Sequence, residues 1–285
     1  MPTYDLDGVP VEFPYEAYEC QLHYMRSVVR ALEGRGNALL ESPTGTGKTL
    51  CLLCASLGWR RYRERQVASS RASWEAQGDL EAAAPRTSCP RIWYASRTHS
   101  QLKQVVRELK RTTYKPSSVV LGSREHFCMH MSVRQQKGAK QNACCKRARD
   151  EDRCQFYSGF RKFGGTMSTS LLDIEEIVNV CQEKRICPFY KSREEAREAE
   201  LLMIPYDYLI SPQTRESLQV SLKNSILIFD EGHNIEKSCE HAASFELGSF
   251  DIANAITEIE DACVFLETDG DSDKLAGALD KMTPS

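Results

Sequence analysis

Apolar and polar positions alternate with several different periods along the 285-residue chain. In YEAYECQLHYMRSVVRAL the apolar side chains fall at Tyr18, Leu22, Met25, Val28, Val29 and Leu32. Steps of three and four place them on one face of a helix. NALLES, residues 37–42, reads as a short buried strand, and GTGKTLCLLCASLGWRRYR as a turn that opens a helix. Residues 64–90 are polar, rich in Ala and Ser and without period, and read as a surface insertion. RIWYAS (91–96) is the next strand, SQLKQVVRELKR is a helix with apolar residues at 102, 105, 106 and 109, and SSVVLGS (117–123) is a further strand.

From residue 123 to 190 the strands stop and six cysteines appear, Cys128, Cys144, Cys145, Cys154, Cys181 and Cys187. Helices are expected from Asp173, with Glu176 in a capping-box pattern, and from Ser192, with Glu195 at the same offset. Cys181 shares a helix face with Ile174, Ile177 and Val178 and reads as core. The runs LLMIPYDYLIS (201–211) and NSILIFDEG (224–232) resume the apolar segments. Strands alternating with helices predict an α/β domain with a mostly parallel sheet, interrupted by the cysteine-rich part.

A net charge of −3 makes no global case for a nucleic-acid or membrane partner, but charge is unevenly spread. Residues 123–165 hold ten Lys/Arg against four Asp/Glu, whereas residues 230–285 hold fourteen Asp/Glu against three Lys/Arg. This asymmetry predicts segments with different partners. MPTYDLDGVPVEF lacks a secretory pattern, and no apolar run is long enough to span a bilayer. A reducing, intracellular setting is expected, in which clustered cysteines among the chain's twelve point to metal or redox chemistry rather than disulfides.

SPTGTGKT follows the first expected strand and opens a helix, the context in which a phosphate loop works. Across Ser42, Pro43, Thr44, Gly45, Thr46, Gly47, Lys48 and Thr49 the two glycines let successive N–H groups face an anion. The helix N-terminus adds partial positive charge. Lys48 supplies a full charge to the β/γ-phosphates, and the Thr49 hydroxyl is a ligand for Mg²⁺. Ser42 stands where the first glycine is usual. The acidic partner is ILIFDEGHN: a buried strand from Ile226 to Phe229 that delivers Asp230 to the metal and Glu231 to the attacking water.

In this order SPTGTGKT, YASRTHSQL and FDEGHN resemble the iron–sulfur DEAH-box helicases of superfamily 2, the group of the xeroderma pigmentosum group D and Fanconi-anaemia J helicases. GVPVEFPYEAYECQ and LGSRE extend the likeness over most of the chain up to about residue 255, weakest in 64–90. The resemblance implies that Gln21 reads adenine and that SRTHSQ (96–101) touches the DNA backbone in the first motor domain. It also implies that His233 couples ATP to DNA. The family's Asp-Glu-Ala-His is here Asp230-Glu231-Gly232-His233; both acids are kept and hydrolysis is expected to survive, while the placement of His233 is in question.

From spacing alone, the cysteines between 123 and 190 are as readily unligated thiols as a metal site, with no C-x-x-C pair to suggest a zinc ribbon. The resemblance implies a [4Fe–4S] cluster on Cys128, Cys154 and Cys187, with Cys145 preferred to Cys144 because its spacing to Cys154 resembles that of the family's telomere helicases. Lys137, Lys140, Lys146, Arg147, Arg149 and Arg153 would then meet phosphates near a DNA fork. The implied layout is a first RecA-like P-loop motor domain with a parallel sheet in 1–122 and 196–245, interrupted by an iron–sulfur insertion in 123–195. The start of a helical arch follows in 246–285.

The implied activity is ATP-dependent 5′→3′ unwinding of single-stranded or forked DNA in the nucleus. It would serve repair, recombination control and telomere maintenance, with repair and replication proteins as partners and no membrane. The chain reads as an N-terminal portion without the second motor domain. Two alternatives stand beside this: a nucleotide- or DNA-binding product without productive unwinding, and an unrelated P-loop ATPase with a zinc module.

Overall fold

The computed structural model describes residues 1–76, 89–167, 171–218, 221–245 and 247–269. Two compact units divide the chain, Met1–Cys239 and Glu240–Ser285. The first opens with a hairpin of β1 (Thr3–Leu6) and β2 (Val9–Glu12), paired antiparallel through Leu6 and Val9. Two helices follow, α1 (Glu19–Glu33) and α2 (Lys48–Ala76). Next come β3 (Arg91–Ser96), α3 (His99–Lys110) and β4 (Ser118–Val120). Among the described residues six helices occupy the cysteine-rich part: α4 (Arg124–Phe127), α5 (Met131–Arg134), α6 (Gly138–Asp150), α7 (Gln155–Lys162), α8 (Ile174–Glu183) and α9 (Pro188–Glu195). The chain returns to β5 (Leu201–Pro205), α10 (Asp207–Ile210), α11 (Pro212–Leu218) and β6 (Ser225–Phe229). A 3₁₀ turn at Gly232–Asn234 leads into α12 (Ile235–Ala243), and α13 (Ser249–Asp269) lies in the second unit.

The four long-range strands form a parallel sheet in the order β4-β5-β3-β6. Side chains of a strand alternate between faces, so a parallel sheet buried on both sides needs apolar residues at every position. β3 meets this: Ile92 and Tyr94 enter one core with Leu201, Met203 and Val120, while Trp93 and Ala95 enter the other with Leu202, Ile204 and Val119. The first core continues through Met25 and Val29 of α1, Leu53 and Cys54 of α2, and Leu102, Val105, Val106 and Leu109 of α3. The α/β class and the parallel sheet are thus as the sequence pattern predicts.

Four local expectations change. NALLES is not a strand: residues 37–42 have no sheet partner and Leu39 is 97% exposed. An extended segment becomes a strand only where a neighbour takes its backbone groups, and β6 pairs with β3 alone. For the same reason β6 is an edge rather than a buried strand, with Leu227 exposed. Residues 64–76 continue α2 instead of forming an insertion, since Arg, Glu, Gln and Ala favour a helix that no proline interrupts; residues 77–88 of the expected insertion lie outside the described residues. The helix expected from Ser192 begins at Pro188, whose fixed φ suits the first helical position. Ser192 is buried inside that helix and donates its hydroxyl to the Phe189 carbonyl. The helix from Asp173 forms with its capping box, Asp173 accepting from the Glu175 and Glu176 amides.

Candidate functional site

The phosphate loop is a tight turn closed on itself. Gly45 and Gly47 have φ of +83° and +75°, values that cost a side chain about 1–2 kcal/mol. At Gly47 a Cβ would lie 3.2 Å from Gln21 Nε2. Ser42 Oγ and Thr46 Oγ1 are 2.7 Å apart, and Thr46 donates to the Pro43 carbonyl. Lys48 folds back so that Nζ donates to the Ser42 carbonyl at 3.0 Å. Thr44 sits in the turn and Thr49 on the first turn of α2. Gln21 is buried beneath the loop: its Nε2 donates to the Thr46 carbonyl and its Oε1 accepts from the Tyr18 amide. An open groove lies beside it, bounded by Leu22 and Tyr24 of α1 and by Leu40, Ser42 and Pro43.

Across the sheet, β6 carries Asp230 to the same place. Thr49 Oγ1 and Asp230 Oδ2 are 3.5 Å apart although 181 positions separate them in sequence. Asp230 is buried, and burial raises its pKa above the usual carboxylate value. The charge of Glu231 acts in the same sense, while bonds from the Tyr94 hydroxyl at 2.9 Å and the Glu231 amide at 3.0 Å, and the charge of Lys48, oppose it. A carboxylate so placed gains most from a cation beside it. Glu231 occupies the left-handed region at φ 55°, ψ 50°, an unusual conformation for a residue with a Cβ. His233 is exposed, with Nδ1 3.5 Å from Glu231 Oε2 and Nε2 3.0 Å from Asn234 Nδ2.

Two groups here, Tyr94 and Tyr206, escape a reading of the sequence. Tyr94 is a single hydroxyl in the middle of an apolar strand, a signal that a buried partner exists. Tyr206 donates its hydroxyl to the carbonyls of Asp230 and Glu231. Arg97, in the segment 96–101, donates to Asn234 Oδ1 at 3.2 Å. The rest of that segment forms a capping box: Thr98 accepts from the Gln101 amide, and Gln101 Oε1 accepts from the Thr98 amide and from Ser96 Oγ.

In the cysteine-rich part, Cys128, Cys145, Cys154 and Cys187 line one small pocket, with Met129, Val133 and Tyr157 among the other walls. Cys128 follows α4, Cys145 is within α6, Cys154 caps α7 and Cys187 caps α9, so four separate segments meet there. Cys144, one position away on α6, is not part of that lining, and Cys181 is fully buried with its Sγ 3.4 Å from Met167 Sδ. Burial pushes the Cys187 thiol up to about 12 and raises Cys128, each also feeling Cys145 and Cys154. Such thiols become ligands when a metal takes the place of the proton. Among the described residues no group of three or more His, Cys, Asp or Glu is arranged to hold a single metal ion. Four thiolates are the donor set that an iron–sulfur group takes.

The basic side chains of this region divide. Lys137, Lys140, Lys146 and Arg147 are exposed, whereas Arg149 is bound to Asp150 and the Tyr190 hydroxyl, and Arg153 to Glu151. No helix among the described residues is long and apolar enough to cross a membrane.

A parallel sheet with a glycine loop opening one helix and an acid pair closing one strand defines an α/β domain of the phosphate-loop class. Within that class the chain belongs to the DEAD_2 family, whose model matches residues 94–252. It is 40% identical over 280 residues to the human protein named Regulator of telomere elongation helicase 1, covering 91% of this chain and 23% of that one. The Bos taurus protein of the same name is 40% identical over 279 residues. An Arabidopsis thaliana homolog is 42% identical, covering 93% of this chain and 27% of its own length. The chain thus spans about a quarter of these relatives. A solved structure titled XPD_Helicase superposes with a TM-score of 0.53 at 19% identity, over 79% of this chain and 34% of that one, and shares the fold.

Proposed function

We propose that this chain is the nucleotide-binding, first-motor portion of an ATP-driven DNA helicase that works 5′→3′ in the nucleus, in repair, recombination control and telomere maintenance. The observation that carries the reading is the meeting of Lys48 and Thr49 with Asp230 at one end of the sheet. The amides of 44–49 and the Lys48 ammonium bind the phosphates, with Lys48 leaving the Ser42 carbonyl it holds now. Thr49 and Asp230 would hold Mg²⁺, which when bound neutralises charge on the phosphates. Glu231 orients the attacking water, and Gln21 exchanges one of its two present bonds for the adenine edge.

Segment 96–101, His233 and the exposed Lys137, Lys140, Lys146 and Arg147 form the side that meets single-stranded or forked DNA. Cys128, Cys145, Cys154 and Cys187 would hold a [4Fe–4S] cluster, which when bound supplies cross-links among four segments. The division into motor (1–122 and 196–245), cluster insertion (123–195) and the start of an arch (246–285) follows from these roles. Repair and replication proteins are the expected partners.

Titration of the purified chain with fluorescent oligonucleotide tests the DNA half of this reading. Affinity for single-stranded DNA is expected to fall steeply with salt, as counterion release requires. No processive unwinding is expected from these 285 residues. Failure to bind DNA even at low salt, or robust unwinding by the chain alone, contradicts the proposal.

A further inference from the structure

Two bonded routes join the acid turn to the segment that begins the proposed DNA side, and both end on the same atom. Tyr206 is 1% exposed, just after β5 and outside every motif legible in the sequence. Its backbone N–H donates to the carbonyl of Ser96 at 3.0 Å. Its hydroxyl donates to the carbonyl of Asp230 and, at 3.1 Å, to that of Glu231. Its ring packs against Phe229 with centroids 5.9 Å apart, which fixes the direction of the hydroxyl. The second route runs over the surface: Arg97 donates to Asn234 Oδ1 at 3.2 Å, and Asn234 Nδ2 donates to the Glu231 carbonyl at 3.2 Å.

The residue these bonds hold is in a conformation that needs holding. Glu231 has φ 55°, a region a glutamate leaves readily unless its surroundings fix it. Gly232 follows with no Cβ to restrict the turn, and a Cβ built there meets only Ile235 Cδ1 at 3.8 Å. The carbonyl of Glu231 is therefore the point where the turn is pinned, and Tyr206 pins it from inside the core.

We propose that Tyr206 is a positioning residue that sets the Asp230–Glu231 turn and passes displacements between it and residues 96–97, so that nucleotide and DNA sense one another through this side chain. The inference rests on the functional reading above. Coupling of this kind is a ratio of affinities, equal in both directions. It can be lost while each ligand still binds alone.

The test is a binding cycle on the full 285-residue chain: affinity for a Mg-bound non-hydrolysable ATP analogue, with and without saturating oligo-dT. Tyr206→Phe keeps the ring and removes only the hydroxyl. The expected result is that both ligands still bind separately while the coupling factor falls at least about threefold toward one. Asn234→Ala, on the half-exposed route, is expected to lower the coupling less, and it gives a second readout should Tyr206→Phe fail to fold. A wild-type chain that binds both ligands without coupling, or a Tyr206→Phe chain coupled as strongly as wild type, overturns the proposal. Should Tyr206→Phe not fold, coupling in Asn234→Ala equal to wild type overturns it as well. A wild-type chain that binds neither ligand overturns the functional reading itself, and the proposal with it.

Discussion

Two imidazoles, His99 at the start of α3 and His126 in α4, face each other with ring centroids 4.2 Å apart. His99 Nδ1 is buried without a hydrogen-bond partner. Burial, and then the neighbouring His126, lower the His99 pKa from 6.5 to about 4. The unfolded chain therefore binds a proton that the folded chain refuses between these two values. Stability from this residue is complete above pH 6.5 and is lost as pH falls toward 4. His99→Gln is expected to flatten the fall in melting temperature across that window, with carboxylates common to both proteins cancelling in the comparison. Equal slopes for the two proteins contradict the assignment. Sequence alone shows His99 only as part of SRTHSQ; its burial depends on α4, which the residue pattern does not place.

At the scale of elements, legibility follows from how local the cause is. β3, β4 and β5 are readable because both faces are buried and nearly every side chain is apolar, α3 by its apolar spacing, and α8 because its cap lies in the sequence. NALLES fails because a strand needs a neighbour, and that information is not in the six residues. The four cysteines of the pocket are named by resemblance, since their thiols come from four separate segments with no shared period. Its geometry depends on close helix contacts. Gly159 on α7 has no room for a side chain: a Cβ there collides with the backbone carbonyl of Arg185, two residues before Cys187. Gly159→Ala is expected to push α7 away from the Cys187 segment, to cost about 1–3 kcal/mol in urea unfolding, and to lower the iron content of the purified protein. The adjacent cysteines give a sharper contrast. Cys145→Ser is expected to lose iron and Cys144→Ser to retain it, because only Cys145 lines the pocket; the reverse outcome exchanges their roles, and zinc in place of iron removes the cluster.

For the molecule as a whole, the fold class follows from the alternation of strands and helices, and the nucleotide reading from two motifs distant in sequence. What the sequence does not show is the wiring between them: Tyr94 on Asp230, Tyr206 on the acid turn, Arg97 on Asn234. These contacts join elements far apart in the chain, with no spacing to betray them. In the second unit, α13 exposes Ile252, Ile256 and Ile259 on one side, as a helix with an apolar face does. In the proposed function Lys48 and Asp230 serve one bound nucleotide. Calorimetric titration of the wild-type chain and of Lys48→Ala with Mg·ATP tests it most directly. Measurable binding by the wild type is expected, and at least about tenfold weaker binding by the variant, a loss of about 1.4 kcal/mol or more. Equal affinity of the two proteins, or no binding by the wild type, contradicts it.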